Sequence, residues 1–553
     1  MSSTFKFHSQ VPDIVPWQAQ YQFPGQSNKV RKQTVKLPPK NGSSFSAPNT
    51  PIRIEFPADN YCNMLNSVLV FNATVTLPVP ATGTFLTLQR GGGHNYFSRI
   101  RIMYGSLVIE DIQEYKTLVR MISEIAVPKD YMNSSGSVMD GFSASRFNDI
   151  SLDTDLVDGG GLKTYQLNGN NTLANAYSNI IADATDATAA KLTGVQAYAS
   201  VLGSYFESSD AVGQNLVGGQ LTTGNGTTTG CTFTDGGNVS SNQYTKTFAL
   251  NLLSGLLTCK KLIPLKWMAS QLTVELTLAD ASQVFITDMA AFGNPVKPLF
   301  TIDNVNFLAE MLEFDSTYDL AFFQGLSQDA GVPIKFSSWH YHPFSLTSAV
   351  GIYQVHERSR SVKSAYAVVR QATPYVGADS DIFFHNLNED VVTVSGKIAS
   401  RGTTSVPTTC PISEFQWRIG GQYYPAQPVS CTYGAPEAYI ELMKAVDVLG
   451  DYTISSSVNN RNFTINYTNI INGEGSKFVM GASFETPAVG SMEINGINAE
   501  EQCDLALSVK CGSNFGGTTT FNNGTNTAKK LEVFVNYDTM LIIRKGNVVD
   551  LIL

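Results

Sequence analysis

Residues 90–111 read "RGGGHNYFSRIRIMYGSLVIED", a triple glycine followed by a histidine, two arginines and a closing pair of acids. A phosphate-binding loop needs its glycines after a strand and at a helix N-terminus, where backbone amides and the helix dipole face the anion. Here the glycines precede a strand, and the spacings G-x-G-x-x-G and G-K-[ST] are absent. The stretch therefore predicts punctuation of a sheet: Phe97, Ile100 and Ile102 run up to a turn at Tyr104-Gly105, and a second strand returns.

Downstream, "DIQEYKTLVRMISEIAVP" spaces Ile112, Tyr115, Leu118, Val119, Ile122 and Ile125 at helical intervals, with Asp111 and Glu114 as a capping-box pair and Pro128 as the stop. The same order recurs in the second half. "EFQWRIGGQYYPAQP" alternates Phe415, Trp417 and Ile419 with polar residues and turns at Gly420-Gly421. A helix follows, with Pro436 near its first turn, Tyr439, Leu442, Met443, Val446 and Leu449 on one face, and Gly450 as terminator. Hairpin then helix, written twice with little residue identity, predicts an architectural duplication.

Composition agrees with a β-rich chain. Of 553 residues 43 % are apolar and only 15 % charged, and Gly, Asn, Thr, Ser, Tyr and Phe outweigh helix formers. "IRIEF", "SVLVFNATVTLPV" and "QLTVELTLAD" read as strands, the last through the alternation of Leu272, Val274, Leu276 and Leu278. Residues 1–50 mix Pro, Gln, Ser and Lys with isolated aromatics and show no period, which predicts an arm that orders on something else. A Gly/Asn/Thr-rich tract over about residues 133–245 predicts a long surface loop. "GNPVKP" marks the expected boundary, giving an arm at 1–50, a first domain at 51–298 and a second at 299–553 that closes on "TMLIIRKGNVVDLIL" with a turn at Lys545-Gly546-Asn547.

The formal charge of −9 argues against a whole-surface nucleic-acid binder. Residues 1–40, however, carry six Lys and Arg against Asp13, a net +5. That arm fits a neighbouring subunit, with Trp17, Tyr21 and Phe23 as anchors and Arg31 and Lys32 as polar contacts, or a weak hold on a genome. Seven scattered cysteines without a C-x-x-C pair suit a reducing compartment. No apolar run reaches the ~18 residues of a membrane span, and no signal-peptide pattern opens the chain.

Chemical candidates are sparse. "WHYHP" puts His340 and His342 on one strand face, with His356 further on, but two histidines without a third ligand at a recognised spacing do not define a metal site. Asp149, Asp153, Asp155 and Asp158 precede glycines, yet Leu162, Lys163 and Thr164 stand where a calcium loop needs its closing acid. No G-x-S-x-G, H-E-x-x-H or cysteine-nucleophile signature occurs, so no enzyme, catalytic residue or cofactor is expected.

Five ordered segments carry a resemblance: "PADNYCNMLNSVLVFNATVTL", "GGGHNYFSRIRIMYGSLVIEDI", "CKKLIPLKWMASQLTVELTLA", "FQWRIGGQYYPAQP" and "NYDTMLIIRKGNVVDLIL". Together they resemble the double jelly-roll major capsid proteins of polinton-like viruses and virophages, related to the adenovirus-type capsid lineage. The resemblance implies an all-β chain of two tandem eight-stranded jelly rolls with short helices and long surface loops. It further implies homotrimeric, pseudo-hexameric capsomers in the icosahedral shell of a double-stranded DNA virus, with penton and minor capsid proteins as further partners. The arm would then lie at the inner face, and the protein would reside in the virion. From the residues alone, a carbohydrate-binding or carbohydrate-cleaving β-sandwich is the competing expectation, on the strength of Tyr423 and Tyr424.

Overall fold

The computed structural model describes residues 30–76, 86–88, 91–128, 131, 135–141, 243–287, 299–326, 331–346, 348, 350–371, 412–431, 435–449, 458, 463, 477–485, 495–500, 505–511, 529–544 and 548–552. Its first half holds twelve strands among these residues: β1 (Val30–Leu37), β2 (Ser44–Phe45), β3 (Pro51–Glu55), β4 (Tyr61–Thr76), β5 (Leu86–Leu88), β6 (Phe97–Tyr104), β7 (Leu107–Gln113), β8 (Gln243–Leu250), β9 (Ile263–Pro264), β10 (Leu272–Leu278), β11 (Phe285–Thr287) and β12 (Leu299–Phe314). The second half adds β13 (Val332–Leu346), β14 (Val350–Val355), β15 (Val362–Gln371), β16 (Ile412–Ile419), β17 (Gln422–Ser430), β18 (Met480–Ser483), β19 (Leu505–Cys511), β20 (Lys529–Arg544) and β21 (Val548–Ile552).

Setting aside β2, β5, β9 and β11 in the first half and β21 in the second, which lie off the main sheet paths, each half has eight strands in two sheets. The first half orders them β1-β12-β4-β8 and β3-β10-β6-β7; the second orders them β13-β20-β15-β18 and β14-β19-β16-β17. Counted within each half, both read 1-8-3-6 and 2-7-4-5, the strand order of a jelly roll. The duplication expected from the hairpin-helix repeat thus extends to the whole sandwich, and the chain is a double jelly roll.

Alternation explains the cores. Leu272, Val274, Leu276 and Leu278 are buried on one face of β10, and Ile100 and Ile102 on β6 stand beside them. Phe71 on β4 stacks on Phe248 of β8 and meets Tyr96 and Phe97 edge-on. In the second half Trp417 on β16 is fully buried against Phe484. Both sheet-turning hairpins use glycine at positive φ: Gly105 at 56°, and Gly420 and Gly421 at 55° and 81°.

Three expectations are corrected. Residues 30–37 are a strand of the first jelly roll, not arm. β1 is an edge strand exposed along most of its length, so backbone pairing with β12 holds it and no apolar period is required. The boundary lies beyond "GNPVKP": β12 pairs with β1 and β4 and completes the first sandwich, and the helix Ser316–Leu326 leads into the second. Asp111 caps no helix. It sits inside β7, and the helix Tyr115–Ala126 starts after Glu114, whose φ is 48° and whose side chain pairs with Lys116 rather than capping the helix, so the capping box is unformed. The tract expected as loop begins with a short helix, Ser135–Met139; residues 142–242 and the turn at Lys545-Gly546-Asn547 lie outside the described residues.

The two sandwiches meet along β7 and β13. Glu110 of β7 is 1 % exposed and accepts hydrogen bonds from the Ser254 hydroxyl and from the amides of Gly255 and Leu256, each amide at 3.0 Å. Burial pushes its carboxyl up, against the pull of those donors. The loop so held presses Gly255 onto β13: a Cβ there would stand 1.9 Å from the Ser337 carbonyl oxygen. Glu110→Ala strands two amides and a hydroxyl, so urea unfolding should show a loss of about 2–4 kcal/mol; an unchanged midpoint would remove Glu110 from the seam.

Candidate functional site

The triple glycine is a packing device. Gly93 donates its amide to the Asp140 carbonyl at 2.7 Å, and a Cβ on Gly92 would lie 2.1 Å from that same oxygen. His94 is buried, with Nδ1 3.0 Å from the Tyr115 hydroxyl, which also accepts the Leu253 amide. The stretch that raises the phosphate question therefore anchors a helix to the first sandwich.

The outer face of the sheet β3-β10-β6-β7 carries a row of alternating charge. Arg53, Glu275, Arg101 and Asp111 stand opposite one another across four strands. Arg53 Nε donates to Glu275 at 2.7 Å, Arg101 reaches the other oxygen, and Arg99 forks onto Asp111 through Nε at 2.6 Å and a second nitrogen. Arg99 and Arg101 are thus bound to acids of their own sheet. On the matching sheet of the second jelly roll, Val350 and Ile352 of the edge strand β14 are 61 % and 66 % exposed, and Lys510 of β19, opposite Val350, pairs with Glu414 of β16 at 2.5 Å.

Of the arm residues, Trp17, Tyr21 and Phe23 lie outside the described residues. Lys32 pairs with Glu310 at 2.5 Å and Arg31 with Glu313 at 3.7 Å, so both answer acids of β12 in their own chain. Tyr423 is 51 % exposed, whereas Tyr424 packs against Phe484; adjacent strand residues point to opposite faces and make no shared aromatic platform. Asp149, Asp153, Asp155 and Asp158 lie outside the described residues. Cys62 is a free thiol pushed up to about 12 by burial, far from a nucleophile's range.

One cluster joins residues that spacing alone does not connect. His340 and His342 of β13 converge on Glu357, which stands in the connection between β14 and β15. Burial alone would raise the Glu357 carboxyl, but hydrogen bonds from His340 and His342, with Ser359, hold it far below the usual carboxylate range. His356, the third histidine of the region, is exposed and outside the cluster. Nothing near "HER" at 356–358 advertises a ligand in sequence; only the fold brings Glu357 to the histidines.

No family model and no curated protein matches this chain. Solved structures do. The chain is similar to the crystal structure of PBCV-1 VP54 fitted into a reconstruction of the virophage Sputnik, at 10 % identity and a TM-score of 0.50, covering 96 % of this chain and 98 % of that one. It is similar to the Faustovirus major capsid protein at 8 % identity and a TM-score of 0.50, with 97 % and 93 % covered. Identities this low speak for the fold: the chain has the double jelly-roll architecture found in these viral capsid proteins.

The charged row makes a pH prediction. Burial would raise the Glu275 carboxyl, but hydrogen bonds from Arg53 and Arg101 outweigh it and lower it. A depressed carboxyl contributes its full stability above the unfolded value of ~4.3 and loses it as pH falls through the lower folded value. Glu275→Gln should cost about 1–2 kcal/mol at neutral pH and flatten the stability profile below ~4.3. Parallel acid limbs for variant and parent would contradict this.

Proposed function

We propose that this chain is the major capsid protein of a double-stranded DNA virus, assembling as homotrimers into pseudo-hexameric capsomers of an icosahedral shell. The observation that carries the proposal is the repetition of one strand order, 1-8-3-6 and 2-7-4-5, in two sandwiches of a single chain. A hexagonal lattice needs six similar lobes around each position, and three chains of paired sandwiches supply them. The likeness in fold to the PBCV-1 and Faustovirus capsid proteins over almost the whole chain supports the same reading.

On this reading the role is structural rather than enzymatic, and the protein acts in the virion. Its first partner is itself; neighbouring capsomers, penton proteins and minor capsid proteins follow. Residues 1–29, ahead of the edge strand β1, carry Trp17, Tyr21 and Phe23 and serve as the inter-subunit arm; with only Lys6 and Lys29 against Asp13, any hold they have on a genome is weak. Arg31 and Lys32, bound to β12, fix the root of that arm.

Light scattering on the full chain should give about 180 kDa, three times the 60.0 kDa protomer, and negative-stain images should show a six-lobed outline. A compact monomer at every workable concentration would overturn trimeric assembly.

A further inference from the structure

His340 and His342 are two residues apart on β13, so strand alternation sets both imidazoles on one side. His340 Nδ1 lies 3.0 Å from Glu357 Oε2, and His342 Nε2 lies 3.2 Å from the same oxygen. The other carboxylate oxygen, 3.1 Å from the same His340 nitrogen, is oriented by its own loop. Oε1 accepts the amides of Arg358 and Ser359, each at 3.0 Å, and the Ser359 hydroxyl at 2.5 Å. His340 is held as well, its ring stacked on the buried Tyr537 at 4.1 Å between centroids. One carboxylate oxygen is thus presented, on a fixed loop, to two imidazole nitrogens that converge from a fixed strand.

Two imidazoles and a carboxylate are a donor set for zinc-class divalent ions. Bonds of ~2.1 Å from one ion to each His–Glu donor pair subtend about 90–100°, opening either pair by a few tenths of an ångström reaches the tetrahedral value, and all three donor atoms lie within 4.8 Å of one another. The Glu357 side chain is 1 % exposed, while those of His342 and His340 are 20 % and 36 % exposed, so the protein ligands form a cup with one wet side. Ser359 and Tyr537 act as the outer supports that metal ligands require.

We infer that His340, His342 and Glu357 bind one zinc-class divalent ion, with water completing its coordination. The ion ties β13, the strand that packs on the first jelly roll, to the connection between β14 and β15. This inference is independent of the capsid proposal, because it rests on side chains within one protomer.

The test uses the full chain, stripped with chelator and titrated with zinc chloride by calorimetry, with cobalt(II) absorption as a geometric readout. One zinc per chain is expected, and the cobalt-loaded protein should show the intense visible bands of a tetrahedral site. His342→Ala, at a partly exposed position, should abolish those bands and the stoichiometric binding while leaving the circular dichroism unchanged. Ser359→Ala should weaken zinc by roughly 10–100-fold. Glu357→Gln should also abolish binding, and if it fails to fold the His342 variant decides. Zinc binding equal in parent and His342→Ala, or none in the parent up to millimolar zinc, would overturn the site.

Discussion

The contact between the two sandwiches is built around the Glu110 carboxylate, buried where they meet. A carboxylate in apolar surroundings is tolerated only when donors surround it, and here the donors come from a single loop, Ser254 to Leu256. The acid thereby fixes the loop, and the loop sets Gly255 flush against Ser337 of the other sandwich. No side chain fits between them. At this point the two domains approach backbone to backbone, so a side chain larger than hydrogen at 255 would force them apart locally.

Both halves reach the same strand order with different residues. Jelly-roll topology is carried by backbone ladders and by which face of each strand is apolar, and neither requires residue identity. That leaves outer faces free to diverge. The first half runs Arg53, Glu275, Arg101 and Asp111 across all four strands, whereas the second sets exposed Val350 and Ile352 beside a single Lys510–Glu414 pair.

Much of this architecture is legible in sequence where side chains alternate over a buried sheet. Leu272 to Leu278, the Tyr104-Gly105 and Gly420-Gly421 turns and the helix after the first hairpin are cases where local pattern and final packing agree, whereas the second helix stops at Ala445, short of Val446, and leaves Leu449 53 % exposed. The failures share a cause. β1 is an edge strand whose partner lies far along the chain, so its pairing with Phe307 to Phe314 leaves no local trace. Asp111 has a cap's spacing, but Arg99 across the hairpin claims it. Glu357 joins His340 and His342 through the path of a loop, which no periodicity encodes. Long-range pairing also hid the boundary, since Pro and Gly before Leu299 signal a turn inside a domain as readily as a link between two.

The unlike outer faces have a geometric consequence under the capsid reading. Six chemically identical lobes would make a six-fold tile that fits its lattice in any of six rotations. Three copies of an unequal pair make a tile whose rim alternates between two unlike flanks, so only every second rotation is equivalent. Each tile then has two distinguishable orientations in the plane of the shell, and neighbours can be told to meet like with unlike, a choice that symmetric tiles could not encode.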